Sequence, residues 1–533
     1  MSSRRRPKFS GLFHDDVVTD SYWIRDQGTL TLPPLAGVRQ LRVVGEVRPP
    51  SRDDSTAHGL LDLAIALDGR TVATRRSLAD GPFVFEIPLP GRDTAESHVL
   101  TLDLGGVTGS NFLAWLGRVT GIAGLQPWRR QARNRRLRIQ RVEADGELLF
   151  DFGNRASPWN AAFARRFLRL GLNVFGYFRA DLGIGESARC MARAAEADAL
   201  PLALVDLKLP CKNPLSDASF APRLQANNPH PVNVFHVDPP GMRDLDHHHG
   251  EDFRRGKYNI GYWAWELPEF PDAWIHFSDY CDEVWAPSRF AAEAIAQKLP
   301  VPVLAMPHAI AFPRPAADRA RFKLPAGQFL FLFLYDLNSY SERKNPSAVI
   351  EAFRQSGLAG QGAALVIKVH NTAGNPADFA QLQAVAATLP GTVLITETLS
   401  RQDLYTLEAS CDCFVSLHRA EGFGLAVAEC MYLGKPVVST DWSATAEFVH
   451  EANGCPVRAR LVTLDRNHGP YAKGQTWADP DIGHAAEWMR RLFTDRALGE
   501  RLGAAARATI ERQFSLDVVG ARYRRRLEAI AGW

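Results

Sequence analysis

From residue 172 onward the chain alternates short apolar runs with helical stretches, and this alternation constrains the fold more than any other feature. Parallel strands buried on both faces are apolar throughout, and a helix after each strand returns the chain to the same edge of the sheet. The alternation comes as two series, the second of which opens at Phe329–Tyr335. We therefore predict an α/β fold with two doubly wound, Rossmann-like domains, residues 172–312 and 316–505, that face a cleft. We expect the basic helical segment 506–533 to pack back on the first of them.

Residues 1–155 follow a different pattern, in which every second residue is apolar. The run from Leu61 to Leu67 is an example, and Asp-Gly pairs follow at 68–69 and again at 145–146. A period of two indicates half-buried strands, and Asp-Gly is typical of tight hairpin turns. We predict an all-β sandwich or jelly roll ahead of the two α/β domains.

The composition excludes several classes of protein. Apolar residues make up 46% and charged residues 23% of the 533 residues, which excludes a collagen-like chain, a disordered chain and a disulfide scaffold. Lys and Arg number 62 against 59 Asp and Glu, so the net charge of +3 gives no reason to expect nucleic acid as a partner. The first residues lack the apolar segment of a secretory signal, and no apolar run approaches the ~20 residues that cross a bilayer. We expect a cytoplasmic protein whose seven cysteines are reduced.

The segment 418–441 carries the most chemistry, because it combines two carboxylates with a glycine-rich turn. Its pattern predicts a strand, the turn, a helix and a further strand. Gly422 and Gly424 let the backbone approach a ligand closely, and the helix that follows offers free N–H groups to a phosphate. Glu421 ends the strand, and Glu429 lies about two turns into the helix on roughly the same face. Both carboxylates can accept hydrogen bonds from the hydroxyls of a sugar or a ribose.

These residues resemble the E-x7-E region of glycosyltransferase family 4, since seven residues separate Glu421 from Glu429 and Gly434-Lys-Pro-Val-Val follows. The resemblance extends, with gaps, from about residue 172 to 530. It implies the GT-B fold and a retaining enzyme that uses a nucleoside diphosphate sugar. It also implies that Glu429 binds the donor's ribose and that Glu421 is a catalytic residue against the hydroxyls of the sugar. The implied donor-binding residues of the turn are Gly422, Phe423, Gly424 and Leu425.

A second stretch supplies cations at the end of the strand that opens the second domain. Arg343 and Lys344 could neutralise a diphosphate, although an exposed pair before a helix that starts with Pro is the alternative. The family has an Arg directly after the strand and a Lys a few residues later. Lys344 matches that Lys, whereas Tyr335-Asp336 stands where the Arg is expected, and Arg343 could supply the missing charge.

Three positions in the first α/β domain are further candidates. Gly185 belongs to Gly183-x-Gly185-x-x-Ala188, which the resemblance makes a donor-binding glycine loop. A nicotinamide dinucleotide fingerprint is the alternative, but four residues between strand and glycine exceed its tight turn. His236 ends a strand and resembles the family's catalytic His, with a His that caps the next turn as the alternative. Glu266 ends the following strand and is a candidate acceptor-side carboxylate.

We expect a nucleotide-sugar-dependent, hexosyltransferase-like enzyme of cell-surface polysaccharide synthesis. Its partners would be the nucleotide-sugar donor and a glycan or lipid-linked acceptor, with no metal or other cofactor. The alternative is a catalytically inactive glycan- or nucleotide-binding protein of the same fold, which the Tyr335-Asp336 departure keeps open. Seven arginines between Pro127 and Val142 could contact anionic lipid at the inner face of the membrane or an acidic glycan, or could form a solvated loop.

Overall fold

A computed structural model describes residues 9–14, 22–48, 61–89, 97–105, 137–151, 170–250, 253–254 and 257–531. An antiparallel all-β region comes first, and two α/β domains follow it. The strands of the first region are β1 (Phe9–His14), β2 (Tyr22–Pro34), β3 (Gln40–Val47), β4 (Leu61–Leu67), β5 (Arg70–Leu78), β6 (Gly81–Pro88), β7 (Ser97–Gly105), β8 (Leu137–Ala144) and β9 (Glu147–Asp151).

These strands form one hydrogen-bonded sheet in the order β5-β4-β7-β2-β8-β3-β6, with β1 paired to β2 and β9 paired to β8. The long strand β2 passes from one half of the sheet to the other, because residues 27–34 pair with β7 and residues 22–23 pair with β8. The inward side chains of both halves share one apolar core. The antiparallel all-β prediction is confirmed, and the two halves of the region are joined through β2.

The two Asp-Gly pairs form the turns that their sequence predicts. Asp68 and Gly69 have φ values of 51° and 79° between β4 and β5, and Asp145 and Gly146 have 46° and 84° between β8 and β9. Positive φ at both central residues matches the right-handed twist of the flanking strands, which is why Asp-Gly is favoured there.

The first α/β domain contains a parallel sheet in the order β11-β10-β12-β13-β14-β15. Its strands are β10 (Leu172–Gly176), β11 (Leu202–Asp206), β12 (Val232–His236), β13 (Tyr258–Tyr262), β14 (Glu283–Ala286) and β15 (Val303–Ala305). Its α-helices are Gly183–Ala197, Met242–His249 and Arg289–Ala296.

The second α/β domain has a parallel sheet in the order β18-β17-β16-β19-β20-β21, the strand order of a Rossmann fold. Its strands are β16 (Phe329–Asp336), β17 (Ala363–His370), β18 (Thr392–Ile395), β19 (Cys413–Ser416), β20 (Val437–Thr440) and β21 (Cys455–Val457). Its α-helices are Ser341–Lys344, Pro346–Ser356, Pro376–Ala387, Arg401–Ser410, Leu425–Tyr432 and Ile482–Thr494. A separate hairpin is formed by β22 (Ala459–Thr463) and β23 (Thr476–Pro480).

Two helices, Arg496–Phe514 and Leu516–Ala531, end the described chain. The predicted boundary at 505/506 falls inside the first of them, and the break comes at Ser515, whose backbone is extended. Val519, Tyr523, Leu527 and Ile530 of the last helix share an apolar core with the first α/β domain. Across all the residues that the structure describes, no helix combines the length and the hydropathy needed to cross a membrane.

Gly520 allows the last helix to lie directly on helix Gly183–Ala197. A Cβ added at Gly520 would lie 2.3 Å from the carbonyl oxygen of Ala194, a backbone atom that cannot move freely. We expect Gly520→Ala to lower the free energy of unfolding by about 1–3 kcal/mol through overpacking. The control is Gly499→Ala, whose Cβ would meet its nearest atoms at ordinary distances and should stabilise its helix by up to about 1 kcal/mol. Urea unfolding of both variants checks the prediction. Equal unfolding midpoints for Gly520→Ala and Gly499→Ala would contradict it.

Candidate active site

The switch point of the second α/β sheet lies between β16 and β19, where the strand order reverses and where ligands of such sheets bind. Arg343 and Lys344 follow β16, and Glu421 follows β19. Because the carboxyl ends of parallel strands share one edge of the sheet, the two segments meet there. The backbone N–H of Arg419 donates to the carbonyl oxygen of Arg343 at 2.8 Å.

Glu421 is a nearly buried carboxylate that is paired with both cations of the other segment. Lys344 Nζ contacts its Oε1, and Arg343 Nη1 lies 3.4 Å from its Oε2. Burial alone would raise the pKa of the Glu421 carboxyl, but Lys344 and Arg343 lower that pKa to about 2. Glu421 is therefore ionised at neutral pH, and it engages both cations that the sequence assigns to a diphosphate.

The first α/β domain contributes Glu266 to the same cluster, where the sequence predicts an acceptor-side carboxylate. Its Oε1 lies 4.0 Å from Arg343 Nη2, and its Oε2 accepts a 3.1 Å hydrogen bond from the hydroxyl of Tyr471. Tyr471 lies in the loop between β22 and β23, and its ring centroid is 5.9 Å from the Arg343 guanidinium. Sequence reasoning missed Tyr471, because nothing in its local pattern indicates that the hairpin reaches this cleft.

The glycine turn after Glu421 has the geometry that its sequence predicts. Gly424 has a φ of +92° and precedes helix Leu425–Tyr432, and a Cβ there would lie 2.5 Å from Thr445 Cγ2. A Cβ on Gly422 would lie 3.3 Å from the Trp265 carbonyl oxygen, so the turn passes close to the first α/β domain. The helix N-terminus has no side-chain cap, which leaves backbone N–H groups for an anion.

Glu429 lies in a second charge cluster, which contains residues of both α/β domains. Its side chain is buried, and its Oε1 accepts from Arg401 Nη2. Arg401 Nε lies 3.6 Å from Oε2 of Glu186, a residue of the first α/β domain. Burial raises the pKa of the Glu429 carboxyl, and Arg401 opposes that rise. Sequence reasoning missed both Arg401 and Glu186.

His236 is fully buried in the first α/β domain. Its Nδ1 is 2.8 Å from Ser187 Oγ, and its ring stacks on Tyr262 at 4.3 Å. The Tyr262 hydroxyl lies 3.2 Å from His308 Nδ1, and the His308 ring meets Phe423 edge-on at 4.8 Å. The imidazole therefore reaches the glycine turn through a series of rings rather than directly, and its catalytic role stays a prediction.

Gly185 serves local packing in this structure. It lies in the first turn of helix Gly183–Ala197, and a Cβ on it would be 2.6 Å from the Tyr177 carbonyl oxygen and 3.0 Å from that of Ala180. The glycine thus lets the helix approach the turn that precedes it. Its predicted contact with the donor remains a prediction.

The residues that replace the family's Arg have separate environments. Tyr335 is buried. Asp336 accepts hydrogen bonds from the backbone N–H of Asn338 at 2.8 Å, from Asn371 Nδ2 at 2.7 Å and from Asn213 Nδ2 at 3.0 Å. Asn213 belongs to the first α/β domain, so Asp336 links the two domains through amide donors.

Most of the predicted arginine cluster lies outside the described residues, namely Arg129, Arg130, Arg133, Arg135 and Arg136. Arg138 and Arg141 lie on β8, where Arg138 is buried and Arg141 Nε is 2.9 Å from Glu143. The predicted contact with a membrane or an acidic glycan therefore stays a prediction.

Two Rossmann-like domains that face each other across such a site define the GT-B class of proteins. Residues 316–509 match the family model described as "Glycosyl transferases group 1". The match covers the second α/β domain and most of the helix Arg496–Phe514 that follows it. A comparison with curated proteins finds no match to the chain.

Solved structures show the same architecture. The chain is similar to Alr3699/HepE of Anabaena in complex with UDP and glucose, with a TM-score of 0.50 and 14% identity over 67% of this chain and 99% of HepE. It is also similar to sucrose-phosphate synthase from Thermosynechococcus elongatus, with a TM-score of 0.50 and 13% identity over 67% of this chain and 98% of the synthase. At these identities the likeness concerns the fold, and it confirms the predicted GT-B architecture.

Proposed function

We propose that the protein is a retaining glycosyltransferase of family 4 that moves a sugar from a nucleoside diphosphate sugar to an acceptor hydroxyl. The observation that carries this proposal is the cluster at the switch point. Glu421 pairs there with Lys344 and Arg343, beside a glycine turn and an uncapped helix N-terminus. These groups offer an anion for the sugar, and cations and N–H groups for a diphosphate, within one cleft.

In this proposal each group has a separate task. Glu421 accepts hydrogen bonds from the sugar's hydroxyls and stabilises positive charge that develops at the anomeric carbon. Lys344 and the N-terminus of helix Leu425–Tyr432 stabilise the leaving diphosphate, so no metal is required. The leaving phosphate takes the proton of the attacking acceptor hydroxyl on the same face of the sugar, which gives retention.

Glu266 is proposed to orient the acceptor. It belongs to the first α/β domain and faces Arg343 and Tyr471 across the cleft, with a partly exposed side chain. A hydroxyl-rich glycan or the head of a lipid-linked glycan fits a carboxylate at this position. Transfer of a sugar to such an acceptor is proposed to serve cell-surface polysaccharide synthesis.

A catalytically inactive glycan- or nucleotide-binding protein of the same fold is the second candidate. It is favoured by Asp336, which stands where the family places an Arg and is engaged with Asn213, Asn338 and Asn371. An acidic side chain contributes no positive charge to a diphosphate site. Turnover therefore has to be measured separately from binding.

A thermal-shift screen of UDP-, GDP-, ADP- and TDP-sugars, followed by assays for nucleotide release, tests the proposal. HepE binds UDP and glucose, so UDP-glucose is the first donor to test. A bound donor at 100 times its Kd should stabilise the protein by about 2.7 kcal/mol. We expect stabilisation by one base and release of its nucleoside diphosphate when acceptor glycans are added. Binding without release on every acceptor would favour the inactive protein, and binding of no nucleotide would contradict the proposed enzyme and leave only a glycan-binding protein.

A further inference from the structure

Arg401 joins Glu429 to the first α/β domain, in a buried cluster separate from the one around Glu421. Glu186 and Glu429 are each 3% exposed, and they belong to helices of different domains. Arg401 begins helix Arg401–Ser410 and reaches both carboxylates, Glu429 through Nη2 and Glu186 through Nε at 3.6 Å.

We propose that Arg401 is a positioning residue for the donor: it orients the Glu429 carboxylate towards the ribose hydroxyls, and Glu186 anchors it across the domain boundary. This role rests on the proposed function, because the Glu429 carboxylate has to be held in one orientation only if a ribose binds to it. In this role Arg401 helps to determine specificity for the ribose of the nucleotide, and no sequence motif contains this residue.

The Arg401 guanidinium also contacts Tyr405, which lies one helical turn further along. Arg401 Nη2 donates to the Tyr405 hydroxyl at 2.8 Å, and the guanidinium carbon lies 4.6 Å from the centroid of that ring. The Tyr405 ring stacks on Phe312 at 3.6 Å with an interplanar angle of 3°. Phe312 lies in the segment that links the two α/β domains, so the stack holds Arg401 at the domain boundary.

A buried Glu429 needs a nearby cation to act as an acceptor. Transfer of a lone carboxylate from water is unfavourable, so without a cation it would take up a proton. An ionised carboxylate can accept hydrogen bonds at both oxygens, whereas a protonated one uses one oxygen as a donor. Arg401 is therefore placed to keep Glu429 in the form that two neighbouring hydroxyls require.

Glu186 is suited to serve as the anchor on the other side. Its Oε2 accepts from Arg189 Nε at 2.7 Å, and its Oε1 accepts from Arg193. Two arginines of its own helix therefore fix the Glu186 carboxylate independently of Arg401. Separation of the domains would break the Glu186–Arg401 contact while Arg401 and Glu429, which share a domain, could stay paired.

A comparison of two nucleotides isolates this role. The nucleoside diphosphate of the base found in the donor screen and its 2′,3′-dideoxy analogue are titrated against the wild type, Arg401→Gln and Arg401→Lys by calorimetry. We expect the wild type to bind the dideoxy analogue roughly 10–100-fold more weakly, since it lacks hydrogen bonds to a charged group. Arg401→Gln should lose about tenfold or more in affinity for the ribonucleotide and little for the analogue, and Arg401→Lys should fall between.

The possible outcomes separate this role from a structural one. If Arg401→Gln lowers the affinity for both nucleotides equally, or lowers neither affinity, the role of Arg401 is overturned while the proposed function stands. A wild type that binds neither nucleotide would overturn the proposed function and this role with it. Arg354→Gln is the control, because Arg354 lies on an exposed helix face and contacts Glu351 and Thr388, and it should bind both nucleotides as the wild type does.

Discussion

Replacement of Glu421 by Gln is expected to lower turnover by roughly two to three orders of magnitude, the range seen when one group that stabilises transition-state charge is removed. The amide has nearly the shape of the carboxylate but carries no charge to stabilise the developing positive charge of the sugar. Release of nucleoside diphosphate at saturating donor measures the effect. Glu351→Gln is the control, because Glu351 lies on a helix surface with Arg354 and outside the cleft.

The same variant should bind nucleoside diphosphate at least as tightly as the wild type. Glu421 engages Lys344 and Arg343, so the neutral amide releases both cations for a diphosphate. A parallel loss of nucleotide affinity would indicate a damaged site rather than a missing catalytic charge. Wild-type turnover in Glu421→Gln would contradict the role assigned to Glu421.

The fold could be predicted because its elements repeat simple periods. Strands of period two, Asp-Gly turns and alternating apolar runs each have one favoured arrangement, and the parallel sheets then follow. The meeting of Glu421 with Arg343 and Lys344 was predictable for the same reason, since all three follow the carboxyl ends of neighbouring strands.

The contacts that bring residues of separate elements into the site could not be predicted. Arg401, Glu186 and Tyr471 reach the candidate site from a helix start, another domain and a hairpin loop, and no sequence spacing connects them. His236 shows a different limit. Its strand β12 is buried on both faces, so the sequence pattern does not indicate which side of the sheet the imidazole occupies.

The break between the last two helices also escaped prediction. The sequence over 496–531 is rich in helix-forming residues on both sides of Ser515, so propensity alone sets no boundary there. The backbone N–H of Ile310 donates to the carbonyl oxygen of Phe514 at 2.7 Å, which places the end of the first helix beside the segment linking the two domains. Ser515 also caps the last helix, because its Oγ accepts from the backbone N–H of Val518 at 3.4 Å, so the boundary combines a local cap with a tertiary contact.

Replacement of Arg343 by Met is expected to reduce both stability and turnover, because the guanidinium is the centre of the Glu421 cluster. It is 5% exposed, donates to the Ala420 carbonyl oxygen at 2.9 Å and lies 3.4 Å from Glu421 and 4.0 Å from Glu266. Removal of one partner from a buried ion pair costs about 3–5 kcal/mol, since the remaining charge stays buried and uncompensated. Urea unfolding, read by tryptophan fluorescence, measures this loss.

Two further variants show whether the loss comes from uncompensated charge. Arg460→Met removes an exposed arginine paired with Asp479 and should change stability by about 0.5 kcal/mol or less. Glu266→Gln in the Arg343→Met background removes one of the two carboxylates that pair with Arg343 in the wild type, so it should recover part of the stability. Two results would contradict this role of Arg343. Arg343→Met could lower the free energy of unfolding as little as Arg460→Met does, or Glu266→Gln could lower it further in the Arg343→Met background.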